Sequence, residues 1–350
     1  DTRNSARYSQ GSCRILENIA PNFVYPVPIM ITTNTLKFTS RKWVIKAGMI
    51  LYDILSFDKW FTWDRSKRIP LHRSLSKKEV LKREPNVKPE GLTGASVYYD
   101  CLSIFPERLT LAFIKSAVAH GACVANYAEV VDFLFSEGRV AGVRVRDRLT
   151  GTFHDVRGDI TVNCGGPWAD IILGLAKREA AGELLRRSEG IHIITRRLVR
   201  DHVVGSMTAK GRHYFIIPWR NHSLIGTTDK EYIGSPDAYR VTGQSIQELL
   251  NEINESFGDG TLGFKDILFT YGGLRPLVED QTEEVYVASR KYEIYDHEID
   301  GLNGLITVEG GKYTTSRNLA EHVVHLIGKK LGRRLGRTIT DKQFLAGCDI

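Results

Sequence analysis

Val308-Glu309-Gly310-Gly311-Lys312-Tyr313-Thr314-Thr315-Ser316-Arg317 is the run on which the fold turns. The apolar segment Gly304-Leu305-Ile306-Thr307-Val308 precedes it and suits a buried strand. After it, Asn318 to Ile327 repeats apolar residues at helical spacing. The local order is therefore strand, double glycine, helix. Without a Cβ, two glycines at such a corner let backbone come close to a ligand. The N–H groups and dipole of the new helix favour something negative or electron-rich, and Lys312 adds a full positive charge. The corner suits an anion or a flavin ring. The same residues also suit an ordinary strand–helix turn.

Working outward, a chain of 350 residues has room for two domains or one large one, at roughly 100–200 residues per domain. Hydrophobic content of 42% and charged content of 25% are those of a globular protein with a sizeable core. No apolar run of about 18 residues occurs, so no transmembrane helix is expected. The net charge of +7 is spread out, apart from short basic runs at Arg65–Arg68 and Gly332–Arg337. These read as solvated faces, with an acidic substrate or anionic membrane surface as the other reading; no nucleic-acid partner is expected. The five cysteines form no CxxC, which suits a reducing, cytoplasmic setting. Cys123 and Cys164 lie in apolar runs and are expected to be buried thiols.

Along the chain, Ser40–Phe57 predicts an amphipathic helix, and Asp58–Pro89 a charged surface excursion holding a short helix capped near Ser76 and Glu79. Pro106–His120 predicts a helix, Ala122–Asn126 a short buried strand, and Ala128–Phe135, Arg139–Asp147 and Phe153–Asn163 a meander. Residues 190–300 are richer in strands, at Ile191–Thr195, His213–Ile217, Ser223–Ile225, Ile267–Tyr271 and Val285–Ser289, with one helix at Thr242–Phe257. The pattern is mixed α/β (α+β).

The formal G-x-G-x-x-G at Gly258–Gly263 stands between a helix and a strand, whereas a dinucleotide fingerprint follows a strand and opens a helix. A phosphate loop at Lys312 fails as well, since Ile306 stands where its first glycine belongs. Asn163-Cys164-Gly165-Gly166-Pro167-Trp168 ends another strand in two glycines, and Pro then opens a helix. Gly272-Gly273-Leu274-Arg275-Pro276 is a further glycine-rich strand end carrying a guanidinium. Arg275, Arg290 and Lys312 all stand at strand ends, and convergence on one anion is expected if the strands meet. His192 lies in the apolar run Ile191–Ile194, where a satisfied core histidine and a catalytic base are both open readings. His322 and His325 share a helical face without a third ligand of suitable spacing, so no metal is expected.

Taken together, these runs resemble the FAD-dependent glycerol-3-phosphate dehydrogenases, within the flavoprotein group of the D-amino acid and sarcosine oxidases. Tyr98-Tyr99-Asp100, Val143–Gly151, Asn163–Trp168, Ile217-Pro218-Trp219, Ile225–Asp229, Gly273–Leu277 and Gly310–Thr315 carry the likeness, in the family's order. The resemblance implies oxidation of sn-glycerol 3-phosphate to dihydroxyacetone phosphate, with hydride passing to FAD and electrons to a quinone. A related FAD-dependent amine or amino-acid oxidase, a glycerophosphate oxidase or an inactive glycerol-phosphate-binding module are the alternatives. It implies His192 as base for the C2 hydroxyl, a role that suits an imidazole poised near neutral pH. Arg275, Arg290, Lys312 and Thr228 map to the substrate, with Arg275 and Lys312 also at the reacting centre. Val130, Gly165, Gly166, Trp168, Gly310, Gly311, Lys312, Tyr313 and Thr314 map to the cofactor.

The same resemblance implies an incomplete Rossmann-like FAD-binding domain (102–168 with 302–335) and a mixed-sheet substrate domain (1–101 with 169–301). Residues 336–350 would begin a linker to a C-terminal helical domain. Asp1 aligns downstream of the family's N-terminal fingerprint, so the pyrophosphate site is expected to lie outside the chain and FAD binding to be weak. Peripheral association with a cytoplasmic or mitochondrial inner membrane, and a homodimer, are compatible with the respiratory members.

Overall fold

The computed structural model describes residues 11, 13–35, 40–56, 60–178, 185–207, 213–257, 262–277 and 292–349. The polypeptide is a mixed α/β structure, and its described strands form three sheets. The largest has nine strands. Its order is Lys230–Tyr232, Arg187–Arg196, His222–Gly226, His213–Trp219, Val203–Met207, Val24–Asn34, Leu92–Ser103 and Arg73–Ser76. Strand Ile267–Pro276 lies antiparallel along Arg187–Arg196 as well, so Arg187–Arg196 is paired on both edges.

Side-chain alternation decides what this sheet does. Ile191 and Ile193 are fully buried and join Met30, Val204, Ile216 and Ile225 in one core. Leu249, Leu250 and Ile253 of helix Gly243–Ser256 seal that core. Thr242 caps the helix, its hydroxyl accepting from the N–H of Ser245 at 3.1 Å. With odd-numbered residues of Arg187–Arg196 committed to the core, Ser188, Gly190 and His192 are turned to the opposite face.

The other two sheets have three strands each. One is the meander Ala128–Ser136, Arg139–Asp147 and Phe153–Arg157. The other places Leu305–Gly310 between Tyr292–Asp296 and Thr161–Asn163, the last in parallel register. Strand Tyr292–Asp296, which sequence patterning did not pick out, pairs here and not with the large sheet. Gly310 ends the central strand, a 3₁₀ turn covers Tyr313–Thr315, and helix Ser316–Lys330 follows. The strand, double glycine and helix expected at this corner are therefore present.

Several expectations are corrected. Phe153–Asn163 is two strands in two different sheets, broken at 158–160. Ala122–Asn126 is not a strand; no ladder partner covers it among the described residues, and Val124 and Cys123 are exposed. Cys164 is exposed too, since Asn163 is the last paired residue of its strand. The excursion 58–89 is only partly superficial: Leu75, Val80 and Val87 enter the main core. Its short helix, Lys77–Arg83, has the reciprocal cap expected of Ser76 and Glu79. Val285–Ser289 lies outside the described residues. Helix Lys42–Leu55 leaves an apolar stripe of Trp43, Ile50, Leu51 and Ile54 exposed. Among the described residues, no helix is long and apolar enough to cross a membrane.

Candidate active site

Three strand segments bring the polar face together. On the central strand, Ser188, Gly190 and His192 share one side. Register sets Tyr271 beside His192 and Arg275 beside Ser188 on one neighbour, and Gly226 beside His192 on the other. Two glycines make the arrangement sterically feasible. A Cβ on Gly190 would collide with the Arg275 guanidinium, and one on Gly226 would collide with the His192 ring. The guanidinium therefore lies across Gly190, between Ser188 and His192.

Arg275 is held from several sides. Its Nη2 donates to Thr227 Oγ1 at 2.8 Å and its Nη1 to the Thr228 carbonyl at 3.3 Å. Asp229 Oδ1 lies 3.7 Å from Nη1 and also accepts from Ser188 Oγ. Thr228 Oγ1 accepts from the N–H of Ile191 at 3.0 Å, which pins the turn carrying these groups to the central strand. About a third of the Arg275 side chain remains exposed, so its fork is still accessible to a solute anion.

His192 is half-buried and stacked on Tyr271, with ring centroids 5.1 Å apart and 10° between planes. Burial first, and then the Arg275 charge, pull its pKa down to about 4. The imidazole is thus neutral at physiological pH, well below the near-neutral poise expected for a base. Its lone pair is available, and a neighbouring negative charge would strengthen it.

The two glycine corners lie against this face. Strand Ile267–Pro276 packs beside both the Gly166–Trp168 turn and strand Leu305–Gly310. Gly166, Gly310 and Gly311 have φ of 55°, 72° and 85°, the left-handed region in which glycine is favoured. A Cβ on Gly166 would meet nothing within 4 Å, so the backbone there is open to approach. Trp168 is tied to the loop after strand Lys230–Tyr232, its Nε1 donating to Asp237 Oδ1 at 2.9 Å. Tyr313 anchors the other corner, donating from its hydroxyl to the Pro106 carbonyl at 2.8 Å and lying 2.9 Å from Thr110 Oγ1. Lys312 sits within the field of Asp100 and Cys13. Burial raises the Asp100 pKa, an effect opposed by the Cys101 N–H and by Lys312. Burial and Asp100 push the Cys13 thiol up to about 12, with Lys312 again opposing.

The residues expected from sequence divide accordingly. His192, Arg275 and Thr228 are brought together, and the strand carrying Arg275 runs alongside the corners of Gly165, Gly166, Trp168, Gly310, Gly311, Lys312, Tyr313 and Thr314. Val130 faces Val145 in the separate meander sheet. Arg290 lies outside the described residues. Tyr271, Ser188, Gly190 and Gly226 were not singled out from sequence as site residues. Their signal is registry across strands, which a single sequence does not display.

The model of the family described as "FAD dependent oxidoreductase" matches residues 45–324. The chain belongs to that family. Family members similar to it include a glycerol-3-phosphate dehydrogenase of Synechocystis sp., 34% identical over 99% of this chain and 63% of that protein. An alpha-glycerophosphate oxidase of Streptococcus pneumoniae is 29% identical over 90% of this chain and 51% of its own length. The chain thus spans about half to two thirds of the length of these relatives. Among solved structures, the glycerol-3-phosphate dehydrogenase of Bacillus halodurans complexed with FAD superposes with a TM-score of 0.73 at 28% identity. That match covers 94% of this chain and 56% of the Bacillus protein. The left-handed glycines at the two corners, with Gly166 open to approach, leave room for a flat cofactor ring of the kind the family uses.

Proposed function

We propose that this protein oxidises sn-glycerol 3-phosphate to dihydroxyacetone phosphate. The observation that carries this reading is the juxtaposition of a partly exposed Arg275 fork and a neutral His192 on one strand face, beside two glycine corners. Bound FAD supplies the acceptor for the hydride leaving C2. Gly166 would admit the ring to close backbone contact, with Gly165, Gly310 and Gly311 shaping the two corners, and Lys312 would place positive charge on that side. Arg275 binds the phosphate as a bidentate cation, with Arg290 and Lys312 adding charge and Thr228 holding the Arg275 fork in place. His192 takes the C2 hydroxyl proton onto its neutral ring. A dianion beside Arg275 screens the charge that depresses His192, so the substrate itself raises the basicity of the base.

The binding half of this reading is checked by calorimetry. Arg275→Lys keeps the charge but loses the fork, and weakens glycerol 3-phosphate binding by about 10- to 100-fold, the worth of a charged hydrogen bond. Glycerol without the phosphate is expected to bind equally to both forms. Unchanged glycerol 3-phosphate affinity in the variant sinks the assignment of Arg275.

A quinone takes the electrons in this reading. Reduction of a soluble quinone analogue, with little oxygen uptake, is the expected result when FAD-loaded protein turns over. Stoichiometric hydrogen peroxide instead moves the protein to the oxidases, a second reading favoured by the likeness to the alpha-glycerophosphate oxidase.

A further inference from the structure

A chain of buried polar contacts runs from the surface to the Gly165–Gly166 corner, and the reaction outlined above does not use it. Asp300, at the hairpin joining Tyr292–Asp296 to Leu305–Gly310, has its Oδ2 2.7 Å from His297 Nδ1. His297 Nε2 lies 2.8 Å from Thr307 Oγ1. Thr307 stands directly opposite Asn163 in the parallel pairing, and Asn163 Nδ2 approaches Thr307 Oγ1 at 3.5 Å. Asn163 Nδ2 also donates to the Ala169 carbonyl at 2.9 Å, and its Oδ1 accepts from the N–H of Gly165 at 3.0 Å. His297, Thr307 and Asn163 are 4%, 1% and 5% exposed, so water does not substitute for these partners.

The donors run in one direction. A carboxylate can only accept, so Asp300 sets an N–H on Nδ1 of His297, the tautomer that leaves Nε2 free to accept. Nε2 is then an acceptor, and the Thr307 hydroxyl must donate to it. That leaves Thr307 only lone pairs to turn toward Asn163, so the amide must face it with NH₂. The longest link, Thr307 to Asn163, therefore acts mainly by selecting an orientation, together with the Ala169 carbonyl. In that orientation the amide oxygen, and not its nitrogen, meets the Gly165 N–H. A flipped amide would set donor against donor at Gly165 and leave both groups unsatisfied.

Gly165 has little freedom to adjust by itself. A Cβ there would lie 2.5 Å from Ile172 Cδ1 and 3.0 Å from Asn163 Oδ1. Its neighbour Gly166 is the open one, so the anchored residue sets the path of the residue that faces the ligand.

We propose that Asp300, His297 and Thr307 are positioning residues for the Gly165–Gly166 corner, acting through the Asn163 amide to hold the backbone against which the flavin ring is bound. The last clause rests on the FAD reading given above; the control of the corner does not.

Thr307→Val removes the hydroxyl at nearly constant volume, and Thr307→Ser restores it. Amide hydrogen exchange at Gly165, followed in the chain without ligand, is expected to speed up at least 10-fold in Thr307→Val and to return toward the parent in Thr307→Ser. Amides of Ile191 and Ile193 in the large sheet should not change. FAD titrated into the protein is expected to bind at least threefold more weakly to the valine variant and to recover with serine. Unchanged Gly165 exchange, or an equal rise at every amide of Leu305–Gly310, overturns the proposal, because the latter is general loosening. If the Gly165 effect is present but neither FAD nor lumiflavin, a bare ring that needs no pyrophosphate site, binds either form, the positioning chain stands and the flavin reading of the corner fails. Should Thr307→Val not fold, Asp300→Ala at the exposed end removes no core volume and carries the same exchange readout in the same direction.

Discussion

Replacing His192 with glutamine is expected to lower kcat by about 10²- to 10⁴-fold, the usual contribution of a positioned general base. KM for glycerol 3-phosphate should move little, because the phosphate contacts are assigned to other groups. Glutamine keeps polarity and approximate size, so the pocket made by Gly226 and Tyr271 is still filled. The effect should be accompanied by a distinctive pH behaviour. Burial and Arg275 hold His192 near pKa 4, against an ordinary value of 6.5. The His192 contribution to the acid limb of kcat/KM should therefore fall near pH 4, apart from the substrate phosphate, whose own second pKa of about 6 is titrated separately. With a phosphate dianion beside Arg275 the depression weakens, so the acid limb of kcat lies at higher pH than that of kcat/KM. NMR titration of the His192 ring, with and without glycerol 3-phosphate, separates this from other causes. Full activity in His192→Gln, or a ring titrating at 6.5 in the free protein, would sink the assignment.

The same depressed pKa has a consequence for stability. Below pH 6.5 the unfolded chain binds a proton that the folded ring refuses until about pH 4. Folding stability from this group is therefore constant above 6.5 and declines as pH falls from 6.5 toward 4. Glu84 acts in the same direction at lower pH. Burial raises its pKa, but hydrogen bonds from His202 and from the N–H groups of Arg200, Asp201 and His202 outweigh burial and leave it depressed. Its contribution is present above its ordinary value of 4.5 and is lost as pH falls through the lowered one.

Arg187→Met is expected to destabilise the fold by about 3–5 kcal/mol, the penalty for leaving one member of a buried ion pair alone. Arg187 Nη2 lies 2.6 Å from Asp170 Oδ1, and each side chain is only 5% exposed. The guanidinium also donates to the carbonyls of Pro167 at 2.8 Å and Leu185 at 2.9 Å. Asp170 sits in the first turn of helix Ala169–Lys177, where a carboxylate also meets the positive end of the helix dipole. The pair thus ties the central strand of the large sheet to the corner bearing Gly165 and Gly166. Urea unfolding measures the loss. Converting both partners, Arg187→Met with Asp170→Leu, should recover much of it, because no charge is then left buried. A single variant within 1 kcal/mol of the parent, against the roughly 3–5 kcal/mol expected, would show that the pair is not effectively buried in solution.

Local features were legible in the sequence because they depend on neighbours in the chain. The Gly310-Gly311-Lys312 corner and the helices near 42–55, 106–119 and 243–256 rest on local spacing, and the Ser76–Glu79 cap on capping chemistry. Segments whose state depends on a partner differ from what local pattern predicts. Ala122–Asn126 has strand-like composition but no ladder partner among the described residues. Phe153–Asn163 reads as one strand because nothing local marks the change of sheet at 158–160.

The candidate site divides in the same way. By itself the sequence determined the mixed α/β class, both glycine corners and, through resemblance, the family and the roles expected of His192 and Arg275. It could not decide whether His192 was a core histidine or a base, because alternation assigns a face only once the buried face is known. The tertiary structure decided the face, by burying Ile191 and Ile193 under helix Gly243–Ser256 and turning His192 away from that core. It also decided the electrostatics. Arg275 is 83 residues from His192 in sequence (275 − 192), and only strand pairing lays its guanidinium across Gly190, where its charge adds to the burial that lowers the ring's pKa. Charge and burial act through space, and the distances through which they act are set by register, which no stretch of this chain carries on its own.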